Sequence, residues 1–177
     1  MKIRKVEIEN FGCLKDVTVE FSDGLQILYG KNEAGKSTFM EFIKIMLYAD
    51  MGRGVNSIIR GDRSPWDGSK MGGAIEFEKE KRLYRLQKEL DAKTPSKDKC
   101  FLKCISNNEV ITLGKKEEVG EKFLKIALED FERSVYINSL GDESFKSGKS
   151  IEDMMLNLIN TGDENISKKL SEERLDE

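Results

Sequence analysis

The chain has 177 residues, of which 36% are charged and 38% hydrophobic, with a formal net charge of −3. This length supports one domain with a hydrophobic core, or one domain plus an extension. There is no apolar run of the roughly 18 residues that a membrane span needs, and the N-terminus has no apolar signal-peptide core. Three cysteines and no histidine predict a cytoplasmic chain with reduced thiols, no metal at Cys100 and Cys104, and no histidine general base.

The first elements of the chain are predicted strands. Residues 2–9 alternate between apolar and polar side chains, which indicates a first β-strand. Asn10-Phe11-Gly12 predicts a turn, and residues 17–21 predict a second strand. Residues 25–29, which read Leu-Gln-Ile-Leu-Tyr, predict a short buried strand. This third strand leads directly into the strongest motif of the sequence.

Residues 30–38 read Gly-Lys-Asn-Glu-Ala-Gly-Lys-Ser-Thr and fit the pattern G-x-x-x-x-G-K-[ST] of a phosphate-binding loop. Glycines at both ends let the backbone curl so that several N–H groups point at phosphate oxygens. A helix that begins directly after the loop adds the positive end of its dipole. Apolar residues at helical spacing predict such a helix over residues 36–48.

The motif assigns roles to individual side chains. Lys36, expected to be exposed and unpaired without ligand, is predicted to contact the β- and γ-phosphates of ATP, and Ser37 to bind Mg²⁺. Thr38 is predicted to add a hydroxyl at the α-phosphate. The predicted nucleotide-binding residues are Gly30, Asn32, Glu33, Ala34, Gly35, Lys36, Ser37 and Thr38. ATP and Mg²⁺ are therefore the expected cofactors.

The remainder of the chain predicts a long loop, a small sheet and helices. Residues 49–71 are rich in glycine and have little periodicity, which indicates a surface loop. Residues 72–113 predict an antiparallel meander, with turns at residues 78–82 and at Asn107-Asn108. Further along, helical spacing covers residues 115–131, and residues 135–137 suggest a short strand or buried segment. A capped helix is predicted over residues 150–159, with a break at 161–163 and a polar, helix-forming segment over 164–177.

A second acidic element is missing from the predicted site. A working P-loop ATPase needs an apolar strand that ends in Asp for Mg²⁺, usually with a Glu that activates water. The segment most similar to it is Lys-Ile-Ala-Leu-Glu-Asp at residues 125–130, but its apolar residues share helical spacing with Val119 and Phe123. We interpret this segment as helix core, so the chain is expected to carry one half of an ATPase site.

Residues 1–160 resemble the N-terminal lobe of ATPase heads from the SMC-like branch of the ABC superfamily, which includes SbcC-type ATPases, RecF and RecN. The resemblance rests on residues 3–12 (Ile-Arg-Lys-Val-Glu-Ile-Glu-Asn-Phe-Gly) and on the phosphate-binding loop, including Asn32. The YhaN-like bacterial ATPases are most similar, through residues 64–68, 72–77 and 157–163.

This resemblance implies an α/β fold of the P-loop NTPase class with an antiparallel meander subdomain and a helical C-terminal extension. Residues 1–162 would form the N-terminal lobe, with the sheet of residues 72–113 inserted, and residues 163–177 would begin a coiled coil. In this family the second lobe, with its signature loop and Walker B motif, follows that coiled coil. Segment 135–141 is similar to the family's Q-loop, with Asn138 or Ser139 in place of the usual Gln.

The function implied by the resemblance is that of an ATP-binding half-head in DNA repair or chromosome maintenance. ATP would be held between two heads, DNA would be a candidate ligand, and a metallophosphoesterase nuclease would be a candidate partner. Two alternatives remain open. One is the N-terminal region of an ATPase–nuclease of the overcoming-lysogenization type, and the other is a module in which nucleotide controls interaction without hydrolysis.

Charge is distributed unevenly along the chain. Residues 79–103 hold nine Lys or Arg and four Asp or Glu, a surplus of five positive charges, whereas residues 152–177 hold three and eight. The basic segment is either an ordinary solvated face or a contact for DNA phosphates. The predicted outward-pointing candidates for DNA contact are Lys79, Lys81, Arg82, Lys97 and Lys99. Arg85 and Lys88 lie within the strand pattern and are expected to pair internally.

Overall fold

The computed structural model describes residues 1–48, 63–65, 70–91, 97–114 and 117–136. The chain divides into two compact units, Met1–Leu124 and Lys125–Glu177. Within the described residues, no helix has the length and apolar character required to cross a membrane.

Six strands form one antiparallel sheet in the order β2-β1-β3-β4-β5-β6. The strands are β1 (Lys2–Phe11), β2 (Leu14–Glu20), β3 (Met71–Lys79), β4 (Arg82–Leu90), β5 (Lys99–Cys104) and β6 (Glu109–Ile111). The predicted meander is confirmed. It is continuous with the two predicted N-terminal strands, because β1 pairs with β2 along one edge and with β3 along the other.

Tight turns fix the register of the meander. Glu80 and Lys81 join β3 to β4 with φ values of 53° and 63°, the positive pair that matches the twist of a two-residue hairpin. The turn between β5 and β6 contains Asn108 at φ 63°, and asparagine tolerates this left-handed region. Both turns were predicted from the sequence and are confirmed.

Helix α1 (Lys36–Tyr48) covers one face of the sheet, as its apolar spacing predicted. The ring of Phe42 packs edge-on against that of Phe11, with centroids 5.4 Å apart. The same ring lies next to Gly73 on β3, where an added Cβ would come within 2.0 Å of the carbonyl oxygen of Glu7. Glycine at this position therefore allows β1 and β3 to approach closely beneath α1.

Helix α2 (Val119–Leu124) covers another part of the same face. Its Phe123 meets Phe77 and Tyr84 at centroid distances of 5.0 and 4.9 Å. Lys88 is buried on this face, and its Nζ lies 3.4 Å from the carbonyl oxygen of Ile45 in α1. The expectation that Lys88 pairs internally is therefore confirmed.

Residues 115–131 do not form the single helix that was predicted. Helix α2 ends at Leu124 because Lys125 adopts φ 63°, which cannot continue a right-handed helix. A further helix, α3, spans Leu128–Ser134, so the segment at residues 125–130 is a loop and a helix start, not a strand. The prediction of a short strand or buried segment at residues 135–137 is also wrong for the two residues that are described. The N–H groups of Val135 and Tyr136 both donate to the carbonyl of Phe131, and Val135 is 56% exposed.

The predicted strand at residues 25–29 does not form. This segment pairs with no described strand, and its apolar side chains are mostly exposed, at 88% for Leu25, 80% for Ile27 and 96% for Tyr29. An apolar strand is stable when neighbouring strands satisfy its backbone and its side chains are covered. Among the described residues no element supplies either.

Several predicted segments lie outside the described residues. They are most of the loop at residues 49–71, the helical segments at residues 150–159 and 164–177, and the Q-loop candidates Asn138 and Ser139.

Candidate functional site: a phosphate-binding loop

Helix α1 begins at Lys36, directly after the loop, as the motif requires. Its first turn forms at once, since the N–H of Phe39 donates to the carbonyl of Gly35 at 2.8 Å. The first N–H groups of any helix lack intrahelical acceptors and lie at the positive end of the dipole. The first turn of α1 contains no acidic residue that would compete for these groups. The start of α1 is therefore suited to bind an anion.

The loop before α1 is tightly curled. The N–H of Ala34 donates to the carbonyl of Lys31 at 3.3 Å, and Glu33 and Gly35 adopt φ values of 66° and 86°. A Cβ at Gly35 would lie 2.6 Å from Cδ2 of Leu14. Glycine at this position can adopt the left-handed backbone conformation, and its missing side chain leaves room for Leu14.

The amine of Lys36 folds back across the loop. Its Nζ donates to the carbonyl oxygens of Gly30 and Lys31, both at 2.7 Å. The sequence-based expectation of an unpaired side chain is therefore wrong: without ligand, the ammonium group bonds the backbone of its own loop. These bonds place the charge inside the curl of the loop, where a bound phosphate would lie.

The two hydroxyl residues of the motif lie in different environments. Ser37 is exposed on the first turn of α1, whereas Thr38 is only 5% exposed. The thiol of Cys13 lies 3.8 Å from Oγ1 of Thr38 and donates to it. Asn32, Glu33 and Ala34 are exposed. The hydroxyl of Ser37 is thus accessible to a cation, while the side chain of Thr38 also packs against the β1–β2 turn.

The β1–β2 turn supports the loop in a way that sequence reasoning missed. Leu14 and Cys13 lie against Gly35, and the N–H of Gly12 donates to the carbonyl of Arg63 at 2.8 Å. The guanidinium of Arg63 pairs with Glu41 on α1. The available sequence signal was the turn Asn10-Phe11-Gly12, which indicated a bend but not the element against which it packs.

These residues fit a nucleotide with Mg²⁺, because they combine a glycine-lined curl, an amine inside it and an exposed hydroxyl at a helix start. In the part of the chain that the structure describes, no group of three or more His, Cys, Asp or Glu side chains is arranged to hold a metal ion. Asp130 is 4% exposed and lies on α3. The described residues therefore have the features of a phosphate-binding loop, but they include no acidic cluster arranged to hold a metal ion.

In the basic segment at residues 79–103, some cationic side chains bond to other parts of the protein, whereas others are accessible. Lys79 donates to the carbonyl of Phe123, so the expectation that it points outward is wrong. Arg85 pairs with Glu76 and Glu7, as expected for a residue within the strand pattern. Hydrogen bonds from Lys5 and from Arg85 hold the pKa of Glu7 below its ordinary value.

The cations that remain at the surface lie near opposite ends of β4, because Arg82 begins this strand and Lys99 pairs with Glu89 near its end. Lys81 and Arg82 are exposed at the β3–β4 turn, and Lys97 is exposed just before β5. Lys99 is exposed, and its Nζ lies 3.9 Å from a carboxylate oxygen of Glu89. Four of the five predicted candidates for phosphate contact are thus accessible.

Comparisons with known proteins indicate the family of the chain. A family model described as an AAA domain matches residues 5–177. The chain is 31% identical over 80 residues to the DNA replication and repair protein RecF of Caldanaerobacter subterraneus, covering 45% of this chain and 18% of RecF. It is 37% identical over 62 residues to the DNA double-strand break repair Rad50 ATPase of Methanopyrus kandleri, covering 34% of this chain and 7% of that protein. The matched regions are thus less than a fifth of these relatives.

Proposed function

Since the chain belongs to the AAA domain family, and is similar to the N-terminal region of SMC-like ATPases of the RecF and SbcC type, we propose that it forms the ATP-binding half of such an ATPase head. The proposed role is in DNA repair or chromosome maintenance, in keeping with the names of the two relatives. A cytoplasmic location, first indicated by the cysteine content, is part of the same proposal.

The observation that carries the proposal is the geometry around Lys36. Its ammonium group lies inside the curled loop, bonded to two backbone carbonyls, at the start of a helix without acidic residues in its first turn. A phosphate placed there would replace these neutral carbonyl acceptors with negatively charged oxygens, which adds attraction between opposite charges. In this proposal Lys36 neutralises the β- and γ-phosphates and Ser37 binds Mg²⁺, which supplies charge neutralisation when present.

Thermal melts with and without Mg²⁺-ATP test the proposal, with titration calorimetry as an independent measurement. A rise in melting temperature that saturates with ATP is expected. A folded sample whose melting temperature is unchanged at millimolar ATP, with no heat of binding, would contradict nucleotide binding at this loop.

We further propose that a second lobe completes the head. Leu25, Ile27 and Tyr29 are exposed just before the loop. Next to them an open cavity of about 360 Å³ has a mixed lining, with apolar side chains that include Leu28 and Phe39 and charged side chains that include Arg4 and Asp23. A strand that paired with residues 25–29 would cover this surface and satisfy the backbone there. Such a lobe would bring the missing carboxylates, and a second head would complete the site around ATP.

A metallophosphoesterase nuclease partner remains a proposal based on the family resemblance. The absence, among the described residues, of an acidic cluster that could hold a metal ion equally supports a module that binds ATP without hydrolysing it. The two functions differ in turnover once a second lobe is present.

DNA contact through Lys97 and Lys99, at the start of β5, is the second part of the proposed function. We expect the double variant Lys97→Glu/Lys99→Glu to weaken DNA binding at low salt and to lower the slope of log affinity against log salt. Each lost phosphate contact lowers that slope by about 0.7 for single strands and about 0.9 for duplex DNA. Fluorescence anisotropy of labelled DNA over a salt series measures both quantities.

The matched control for this prediction is Lys2→Glu/Lys122→Glu, which changes the net charge equally but at sites away from the start of β5. Lys2 pairs with Asp23. Lys122, on α2, pairs with Glu117, which precedes that helix. Equal loss of affinity in both double variants would show that net charge, and not this surface, controls DNA binding.

A further inference from the structure

The face of the sheet that points away from α1 carries an exposed aromatic ring. Phe101 lies in the middle of β5 and is 49% exposed, whereas its neighbour Leu102 is buried on the α1 side. Because successive strand residues point to opposite faces, Lys99 and Lys103 lie on the same face as Phe101, two positions to either side. The ring is therefore flanked by two cations, each about 7 Å along the strand.

The neighbouring strands add polar and apolar groups to this face. The register places the exposed Gln87 of β4 directly opposite Phe101, and Val110 of β6, which is 56% exposed, opposite Lys103. Gln87 offers an amide that both donates and accepts hydrogen bonds. We refer to Phe101, Lys99, Lys103 and Gln87 as the β5 platform.

The positive charge of the β5 platform is not cancelled by neighbouring carboxylates. Arg85, opposite Lys103, forms ion pairs with Glu7 and Glu76. The charges of these two carboxylates are therefore already engaged by Arg85. The described residues provide no ion pair for Lys103. Glu89, the carboxylate 3.9 Å from Lys99, is also bonded by Lys70. The two lysines thus retain charge for an anionic partner.

Single-stranded nucleic acid is the partner whose chemistry matches this arrangement. An apolar protein surface that covered Phe101 would also remove the flanking lysines from water without pairing them, which is costly. A single strand instead offers the face of a base to the ring and phosphates to the lysines. In duplex DNA the base faces are stacked within the helix and cannot reach the ring.

We propose that Phe101 is a stacking platform for an unpaired base of single-stranded DNA, and that Lys99 and Lys103 contact the phosphates on either side. This inference refines the DNA contact proposed above and rests on it for the choice of DNA. It does not depend on nucleotide binding by the loop at residues 30–38.

The test uses the whole 177-residue chain and a fluorescein-labelled oligo-dT of about 15 nucleotides, within the usual range of single-strand site sizes. We expect Phe101→Ala to raise the Kd for oligo-dT about 5- to 150-fold, the usual loss on removing one stacked aromatic. Val110→Ala, which removes another exposed apolar side chain from the same face, is expected to change Kd by less than about twofold. Circular dichroism melts of both variants confirm that they remain folded.

A stacking readout distinguishes contact from an indirect effect on the strand. Phe101→Trp is expected to bind oligo-dT as tightly as the unaltered chain and to show fluorescence quenching on binding, beyond any change at Trp66, the chain's single tryptophan. The inference is overturned if Phe101→Ala binds oligo-dT normally, if the indole at position 101 is not quenched, or if duplex DNA binds more tightly than the single strand.

Parallel ATP melts separate this inference from the proposed nucleotide site. Lys36→Ala is expected to lose the ATP-induced shift yet to keep oligo-dT binding. If ATP stabilises the chain but no DNA binds at low salt, the DNA contact and the β5 platform are both wrong while the nucleotide site stands. If duplex DNA alone binds, the platform is wrong and the phosphate contacts stand.

Discussion

The Lys36→Ala variant is expected to lose nucleotide stabilisation almost completely. Binding to the native state alone contributes about 2.7 kcal/mol at a ligand concentration one hundred times Kd. For a chain of this size, that corresponds to a rise in melting temperature of about 5–10 °C. Without the ammonium group, the loop loses the side-chain charge that opposes the phosphates, so melts with and without Mg²⁺-ATP should coincide.

The same variant should also melt slightly below the unaltered chain without ATP. Lys36 donates to the carbonyl oxygens of Gly30 and Lys31 in that state, and the substitution removes both hydrogen bonds. The matched control is Lys122→Ala, which removes one surface ion pair with Glu117 and should keep the full ATP shift. An undiminished ATP shift in Lys36→Ala would contradict the proposed site.

We expect the chain by itself to hydrolyse ATP at least about 10⁴-fold more slowly than a typical enzyme, whose turnover is roughly ten per second. Two groups that stabilise the transition state would have to come from elsewhere: a Walker B carboxylate pair and the signature loop of a partner head. Each such group contributes about a hundredfold or more. A phosphate-release assay with Lys36→Ala as the background control measures the rate.

Turnover near the typical value would show that catalytic carboxylates are already present in this chain. Glu129 and Asp130 would then be the first candidates, through Glu129→Gln and Asp130→Asn. Their placement argues against this outcome, since both lie in the first turn of α3 and Asp130 is buried. A carboxylate at a strand end, next to the phosphate loop, is the arrangement that Mg²⁺ requires in this class of site.

The sequence by itself determined the elements that depend on local chemistry. The glycine spacing at residues 30–38 and the apolar spacing after it predicted a loop followed by α1. Both patterns depend only on residues that are close together in the sequence. Alternation predicted β1, β3 and β4. The turn at Glu80-Lys81 was predicted from the charged residues between two alternating segments. The turn at Asn107-Asn108 was predicted from asparagine, which tolerates positive φ.

Only the tertiary structure decided features that depend on residues far apart in the chain. Residues 25–29 have the composition of a strand but lie exposed, because a strand also needs neighbours that no local pattern reveals. Lys79 is bonded to the carbonyl of Phe123, 44 positions away, although its place beside a turn suggested an exposed charge.

The phosphate loop and the β5 platform show the same dependence on long-range packing. Gly35 accommodates Leu14, which lies outside the motif altogether. Phe101 is a large apolar residue of the kind usually found in a core, yet it is 49% exposed. Helix α1 covers only one face of the sheet, and the alternation of side chains along β5 places Phe101 on the other face. Local sequence specified which groups this protein carries, whereas packing between distant segments decided which of them remain exposed at the surface.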